Sequence, residues 1–157
     1  MISKLTKANL YLTFFGITKI PLLWFCRPKI INFNPDLVEI KIPLRRRTKN
    51  HLNSMYFGAL SVGADITGGF LAMMCIQESN KKVALIFKDF KADFLKRAEG
   101  DVHFKCYQGS EISKLVEKTI ESGQRENMIV NIEAIAPSIS NDVVAQFQLT
   151  LSLKEKK

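Results

Sequence analysis

Apolar and polar positions alternate with period two along much of the chain. Val38, Ile40, Ile42 and Leu44 are set against Glu39 and Lys41, and Val102, Phe104 and Cys106 against His103, Lys105 and Tyr107. Phe90, Ala92 and Phe94 alternate with Lys91, Asp93 and Leu95. The clearest run is the last: Val143, Ala145, Phe147, Leu149, Leu151 and Leu153 face one way, Gln146, Gln148, Thr150 and Ser152 the other. This period predicts half-buried strands of an antiparallel sheet over 37–44, 102–107 and 142–153. Residues 82–97 read as a strand pair or one bent strand, and 30–34 and 128–136 as two further strands. Pro35-Asp36 and Glu99-Gly100-Asp101 mark turns. Between the strands, Ile112, Leu115, Val116, Thr119 and Ile120 repeat at helical spacing after Gly109-Ser110, and Gly123 is the expected stop.

Two segments are apolar without a strand's alternation. Residues 8–26 carry Leu10, Phe14 and Ile17 on one helical face, with a break at Pro21 and a second short apolar piece beyond it. The stretch follows Lys4 and Lys7 as a secretory signal would, but it has no small-x-small cleavage site and is interrupted by Lys19 and Pro21, so a signal is not the expected reading. Docking on the rest of the domain is the first reading; contact with a membrane surface is the second, and a true span the third. Residues 54–76 form an apolar run rich in Gly, Ala and Ser, in which Asp65 is the only charge. Asn53 or Ser54 can cap its start. A helix apolar on all sides is expected to be buried on all sides, and its small residues let other backbone come close. The predicted class is α+β, an antiparallel sheet wrapped around one long central helix, which is the hotdog arrangement. Residues 1–27 are an N-terminal apolar helical segment and 28–157 the hotdog domain.

Charge changes this picture at one end. The net charge is +8. Residues 1–53 hold ten Lys and Arg against Asp36 and Glu39, whereas residues 54–157 hold 13 bases and 13 acids. The whole excess therefore lies in the first third, where it favours phosphates, acidic lipid or other anions. Within it, Arg45, Arg46, Arg47 and Lys49 stand just before the long helix. They are either a solvated basic loop or a dock for phosphate groups. No aromatic is interleaved among them, so nucleic acid is not expected. Cys26, Cys75 and Cys106 are too few and too scattered for a disulfide scaffold or a zinc site and are expected as reduced, mostly buried thiols in a reducing compartment.

The chemistry lies in the apolar helix. A carboxylate such as Asp65 is costly to desolvate unless paired, and burial raises its pKa toward a general base's range. No cation stands at i±3 or i±4, where Ser61, Val62, Gly68 and Gly69 are found. Asp65 is either a base that orients water or a satisfied buried acid that fixes register. At the helix start, the N–H groups of Tyr56, Phe57 and Gly58 are expected to lack intrahelical acceptors, which together with the helix dipole makes an oxyanion site.

The run Arg47-Thr48-Lys49-Asn50-His51-Leu52-Asn53-Ser54-Met55-Tyr56-Phe57-Gly58, followed by Asp65, resembles hotdog-fold acyl-CoA thioesterases of the phenylacetate-pathway (PaaI-like) type, nearest to an uncharacterised branch. That family has an Asn, then His-Gly-Gly at the helix start, then an acid about two turns on. Asn50, Gly58 and Asp65 match; Tyr56 replaces the His and Phe57 the first Gly. The resemblance implies that Asp65 activates water, the Phe57 amide polarises the thioester carbonyl and Asn50 positions substrate or water. Tyr56 can still donate through its phenol. The resemblance further implies an acyl-CoA or other acyl thioester as substrate, coenzyme A entering with it and no separate cofactor or metal. It also implies a homodimer or homotetramer with the site across the interface. The expected location is cytoplasmic, or peripheral to a membrane. A hotdog module that binds acyl chains or a protein partner without hydrolysis is the alternative.

Overall fold

The computed structural model describes residues 2–156. The chain opens with a helical hairpin, α1 (Lys4–Thr18) and α2 (Pro21–Cys26), followed by β1 (Lys29–Phe33), β2 (Val38–Ile42) and the long helix α3 (Phe57–Ser79). Then come β3 (Val83–Phe94), β4 (Val102–Cys106), α4 (Gly109–Ser122), β5 (Glu126–Ile135) and β6 (Val143–Glu155). The six strands form one antiparallel sheet in the order β1-β2-β4-β5-β6-β3. The element order is the expected one, and residues 82–97 resolve into a single strand. A bulge between Phe87 and Phe90 bends it. Asp89 fills the bulge, accepting from the Thr150 N–H at 2.9 Å and the Thr150 hydroxyl at 2.8 Å.

The sheet curls around α3. Phe104 of β4 lies against Gly63 so closely that a Cβ there would overlap the ring. This is why the helix carries glycine in its interior despite a cost of about 1 kcal/mol relative to Ala. Val130 and Ile132 of β5 reach Gly68, and Phe70 meets Phe33 of β1 edge-on at 5.8 Å. Amphipathic α4 adds Ile112, Leu115 and Val116 to the same core and ends on Gly123 in the left-handed conformation. Among the described residues α3 is the one helix long and apolar enough to cross a membrane, and most of its apolar stretch lies inside the sheet.

Three expectations need correction. The long helix begins at Phe57, not at 54; Tyr56 is its N-cap, in extended conformation, and neither Asn53 nor Ser54 caps it. Asn53 is in the left-handed region, where its side chain receives the Lys49 ammonium at 3.1 Å. Nor is α3 buried on all sides. Phe57, Ser61, Val62, Asp65, Met73 and Ile76 form a stripe that the chain leaves partly open. Finally, α1 does dock on the domain, but through Ala8, Leu12 and Gly16; Leu10, Phe14 and Ile17, the face picked out by spacing, point outward. Gly16 lets α1 approach Trp24 of α2, where a Cβ would sit 3.1 Å from the Trp24 backbone nitrogen.

The two edges of the sheet differ. At the β1 edge the Asn9 side chain from α1 receives the Ile30 N–H at 2.9 Å and donates to the Ile30 carbonyl at 3.0 Å, acting as a short substitute strand. The β3 edge pairs only with β6, and its other side has no partner among the described residues.

Candidate active site

A tight loop delivers the start of α3. The Thr48 hydroxyl donates to the Pro43 carbonyl at 2.7 Å and accepts from the Arg45 N–H at 3.0 Å, closing a turn over Arg45–Thr48. Asn50 organises the next turn: its side-chain oxygen accepts from the N–H groups of Leu52 (2.9 Å) and Ser54 (3.2 Å), and its amide donates to the Ser54 hydroxyl at 3.1 Å. Asn50 is thus largely engaged in shaping the loop, with one amide N–H left over. Met55 then donates to the Ala98 carbonyl and Tyr56 to the Thr48 carbonyl, each at 2.8 Å.

That last bond changes the oxyanion site. The Tyr56 N–H is spoken for, and the first intrahelical bond runs from the Leu60 N–H to the Tyr56 carbonyl at 3.1 Å. The N–H groups of Phe57 and Gly58 have no acceptor among the described residues. They point out of a helix N-terminus that carries partial positive charge. The Tyr56 ring lies across Gly58 and sits 4.7 Å from the Phe57 ring, which meets Phe94 of β3 at 6.3 Å. The helix start therefore opens into an aromatic groove of about 570 Å³ that also receives Asn50, His51 and Arg97.

Asp65 stands eight residues farther on, about 12 Å along the helix. It opens into a different cleft, of about 710 Å³, walled by Tyr11 and Phe15 of α1, Ile66 and Met73 of α3, and Leu85 and Phe87 of β3. No hydrogen bond or cation reaches its carboxylate among the described residues. Burial raises its pKa above the ordinary 3.8. A single chain therefore separates the expected base from the expected oxyanion donor. Both border the free edge of β3, Phe94 at one end and Leu85 and Phe87 at the other.

The basic cluster is dispersed. Arg45 approaches Asp101 at 3.5 Å and donates to the Leu44 carbonyl at 2.9 Å, while Lys41 holds the other Asp101 oxygen at 3.2 Å. The Arg47 guanidinium lies 5.1 Å from the centre of the Phe25 ring. Arg46 is exposed. Sequence reasoning missed the wall that α1 contributes to the Asp65 cleft. Tyr11 and Phe15, at i and i+4, were its available signal.

The model of the DUF4442 family, a domain of unknown function, matches residues 9–153, and the chain belongs to that family. A search of curated proteins finds no match. Solved structures share the fold. PA5026 of Pseudomonas aeruginosa, a protein of unknown function described as a probable thioesterase, superposes with a TM-score of 0.77 at 21% identity, covering 94% of this chain and 95% of that one. OLEI01261 of Chlorobaculum tepidum, of unknown function, gives 0.82 at 12% identity, with 97% of each chain covered. The thioesterase HI1161 of Haemophilus influenzae gives 0.71 at 17% identity, covering 99% and 93%. The fold is the hotdog fold.

Proposed function

We propose that this DUF4442 chain hydrolyses an acyl thioester, with acyl-CoA as the substrate class, in a site completed by a second copy. The observation that carries the reading is Asp65, an unpaired, desolvated carboxylate in the apolar body of a helix whose start presents the free N–H groups of Phe57 and Gly58. Pairing of the free β3 edge with its own copy about a two-fold axis would cover both that edge and the open stripe of α3. Antiparallel helices would then bring one chain's Asp65 toward the other chain's Phe57. This arrangement reunites two groups that one chain keeps apart.

In the proposed reaction Asp65 takes a proton from water as the oxygen adds to the thioester carbonyl carbon. The carbonyl oxygen becomes an oxyanion held by the Phe57 and Gly58 N–H groups. Collapse breaks the C–S bond, and the thiolate recovers the proton from Asp65. The 710 Å³ cleft lies within the range of roughly 300–1,000 Å³ for small-molecule sites. Its Phe, Ile, Met and Leu walls suit an aliphatic acyl chain. Arg46, and Arg45 at the cost of its loose pairing with Asp101, remain candidates for the coenzyme A phosphates, with Arg47 and Lys49 beside them.

The test is an acyl-CoA panel with detection of free thiol. Turnover that disappears in Asp65→Asn supports the proposal. Acyl-CoA that binds with no thiol released across the panel would replace it with the non-hydrolytic acyl-binding module.

A further inference from the structure

We propose that α1 and α2 seat the protein on the surface of an anionic lipid membrane, a role independent of any reaction at Asp65. The first observation is that α1 is apolar on both sides. Its inner side docks on the domain, yet Leu10, Phe14 and Ile17 on the outer side are 59%, 66% and 54% exposed. α2 repeats the pattern: Leu23 and Cys26 are buried, while Leu22 and Phe25 are 60% and 44% exposed. Isolated exposed apolar residues are ordinary, but these are five large ones on two successive helices, all outside the buried core.

The polar groups of α1 fit the same purpose. The hydroxyls of Thr13 and Thr18 donate to the Asn9 and Phe14 carbonyls at 2.9 and 2.8 Å, and Thr6 and Ser3 bond each other at 2.8 Å. These side chains satisfy themselves on the helix, so contact with lipid would strand no hydroxyl.

Charge selects the occupant. Residues 1–35 contain no acid and five bases: Lys4, Lys7, Lys19, Arg27 and Lys29. None of the five is in a salt bridge among the described residues, whereas Lys41, Lys96 and Lys118 each find a carboxylate elsewhere. Arg27 lies 4.2 Å from the centre of the Trp24 ring, and Arg47 5.1 Å from that of Phe25, so guanidinium groups are held against the aromatic side chains of α2. A second copy would bring the same uncompensated positive charge and be repelled. An anionic bilayer takes both features, the apolar side chains below the headgroups and the cations among them. With 15 residues α1 is about 22 Å long, short of the ~30 Å hydrocarbon core, so it lies in the interface instead of crossing it. Tyr11 and Phe15 on its inner flank wall the Asp65 cleft, so docking places that cleft beside the lipid.

The test uses the full chain with vesicles of phosphatidylcholine alone and of phosphatidylcholine with about one third phosphatidylserine. Co-sedimentation and the emission of Trp24, the single tryptophan, are the readouts. Expected are binding to the anionic vesicles at least about tenfold tighter than to the neutral ones, weakening with salt, and a blue shift of Trp24. The triple variant Leu10→Ser, Phe14→Ser, Ile17→Ser should lose about tenfold or more in affinity while its melting temperature holds, because these side chains are outside the core. Lys7→Glu with Lys19→Glu should lose a similar factor without touching the apolar row. Absence of binding to anionic vesicles overturns the proposal, as does equal binding to both compositions. A triple variant that binds lipid like the parent but sediments as a smaller species also overturns it, and would assign the face to contact between copies.

Discussion

The two edges of the sheet show how one chain treats the same problem in opposite ways. At β1, Asn9 satisfies both backbone groups of Ile30, and α1 covers the edge. At β3, twelve residues run along an edge with no partner among the described residues, and Ile86, Phe90 and Phe94 are exposed along it. Long unprotected edges invite pairing with another chain. The open edge is also the one that borders both Asp65 and the free N–H groups of α3. The lesson is that the chain closes the edge remote from the candidate site and leaves open the one that borders it.

The strongest way to break this contrast is at Asp65. Asp65→Asn keeps the shape and removes the proposed base, so kcat should fall by about 10²–10⁴-fold in thiol-release assays. Stability should move the other way. Because burial raises the folded-state pKa, the folded protein binds the proton more tightly than the unfolded chain. Asp65 therefore favours folding at low pH and loses that contribution as pH rises through its raised pKa. At neutral pH the Asn variant should melt no lower than the parent, and any advantage should vanish below about pH 3.8. A sharp drop in melting temperature with unchanged turnover would instead make Asp65 structural.

Next in size is the open edge itself. Ile86→Lys places a charge on exposed β3 and, if the proposed dimer pairs through this edge, should leave the protein monomeric in sedimentation, with activity down by about tenfold or more. A monomer with full activity would contradict the two-chain site. The matching change on the closed edge is Asn9→Leu. It leaves the Ile30 backbone groups unpartnered and should cost about 1–3 kcal/mol in denaturant unfolding without altering assembly. The smallest effect is expected from Arg45→Gln, Arg46→Gln and Arg47→Gln together. KM for acyl-CoA should rise several-fold and fall less steeply at low salt than in the parent, while simple thioesters lacking the nucleotide are spared. Equal effects on both substrates would make the cluster a structural loop.

Most of the fold was readable in the chain. The alternation of Val143 to Leu153 and of Val102 to Cys106 marks strands because side chains on a strand must face opposite ways, a constraint that acts over neighbours only. The stop at Gly123 and the turn at Pro35-Asp36 are equally local. The site was readable in part: Asp65 stands out because a lone charge within the apolar stretch 54–76 needs a reason. The role of Asn50 as the organiser of its loop did not show in the sequence, since an Asn that bonds Leu52 and Ser54 looks the same as one aimed at a ligand.

By itself, then, the sequence determined the elements, their order, the wrapped-helix class and the position of the unusual carboxylate. The tertiary structure alone decided which face of α1 turns inward. Both sides are apolar, so periodicity is silent, and the choice fell to Ala8, Leu12 and Gly16 because small residues permit the close approach to Trp24. It also decided that the Tyr56 N–H is consumed by Thr48, and that Asp65 and the Phe57 amide open into separate clefts. These outcomes depend on groups far apart in the chain meeting in space, and spacing along a sequence carries no information about such meetings.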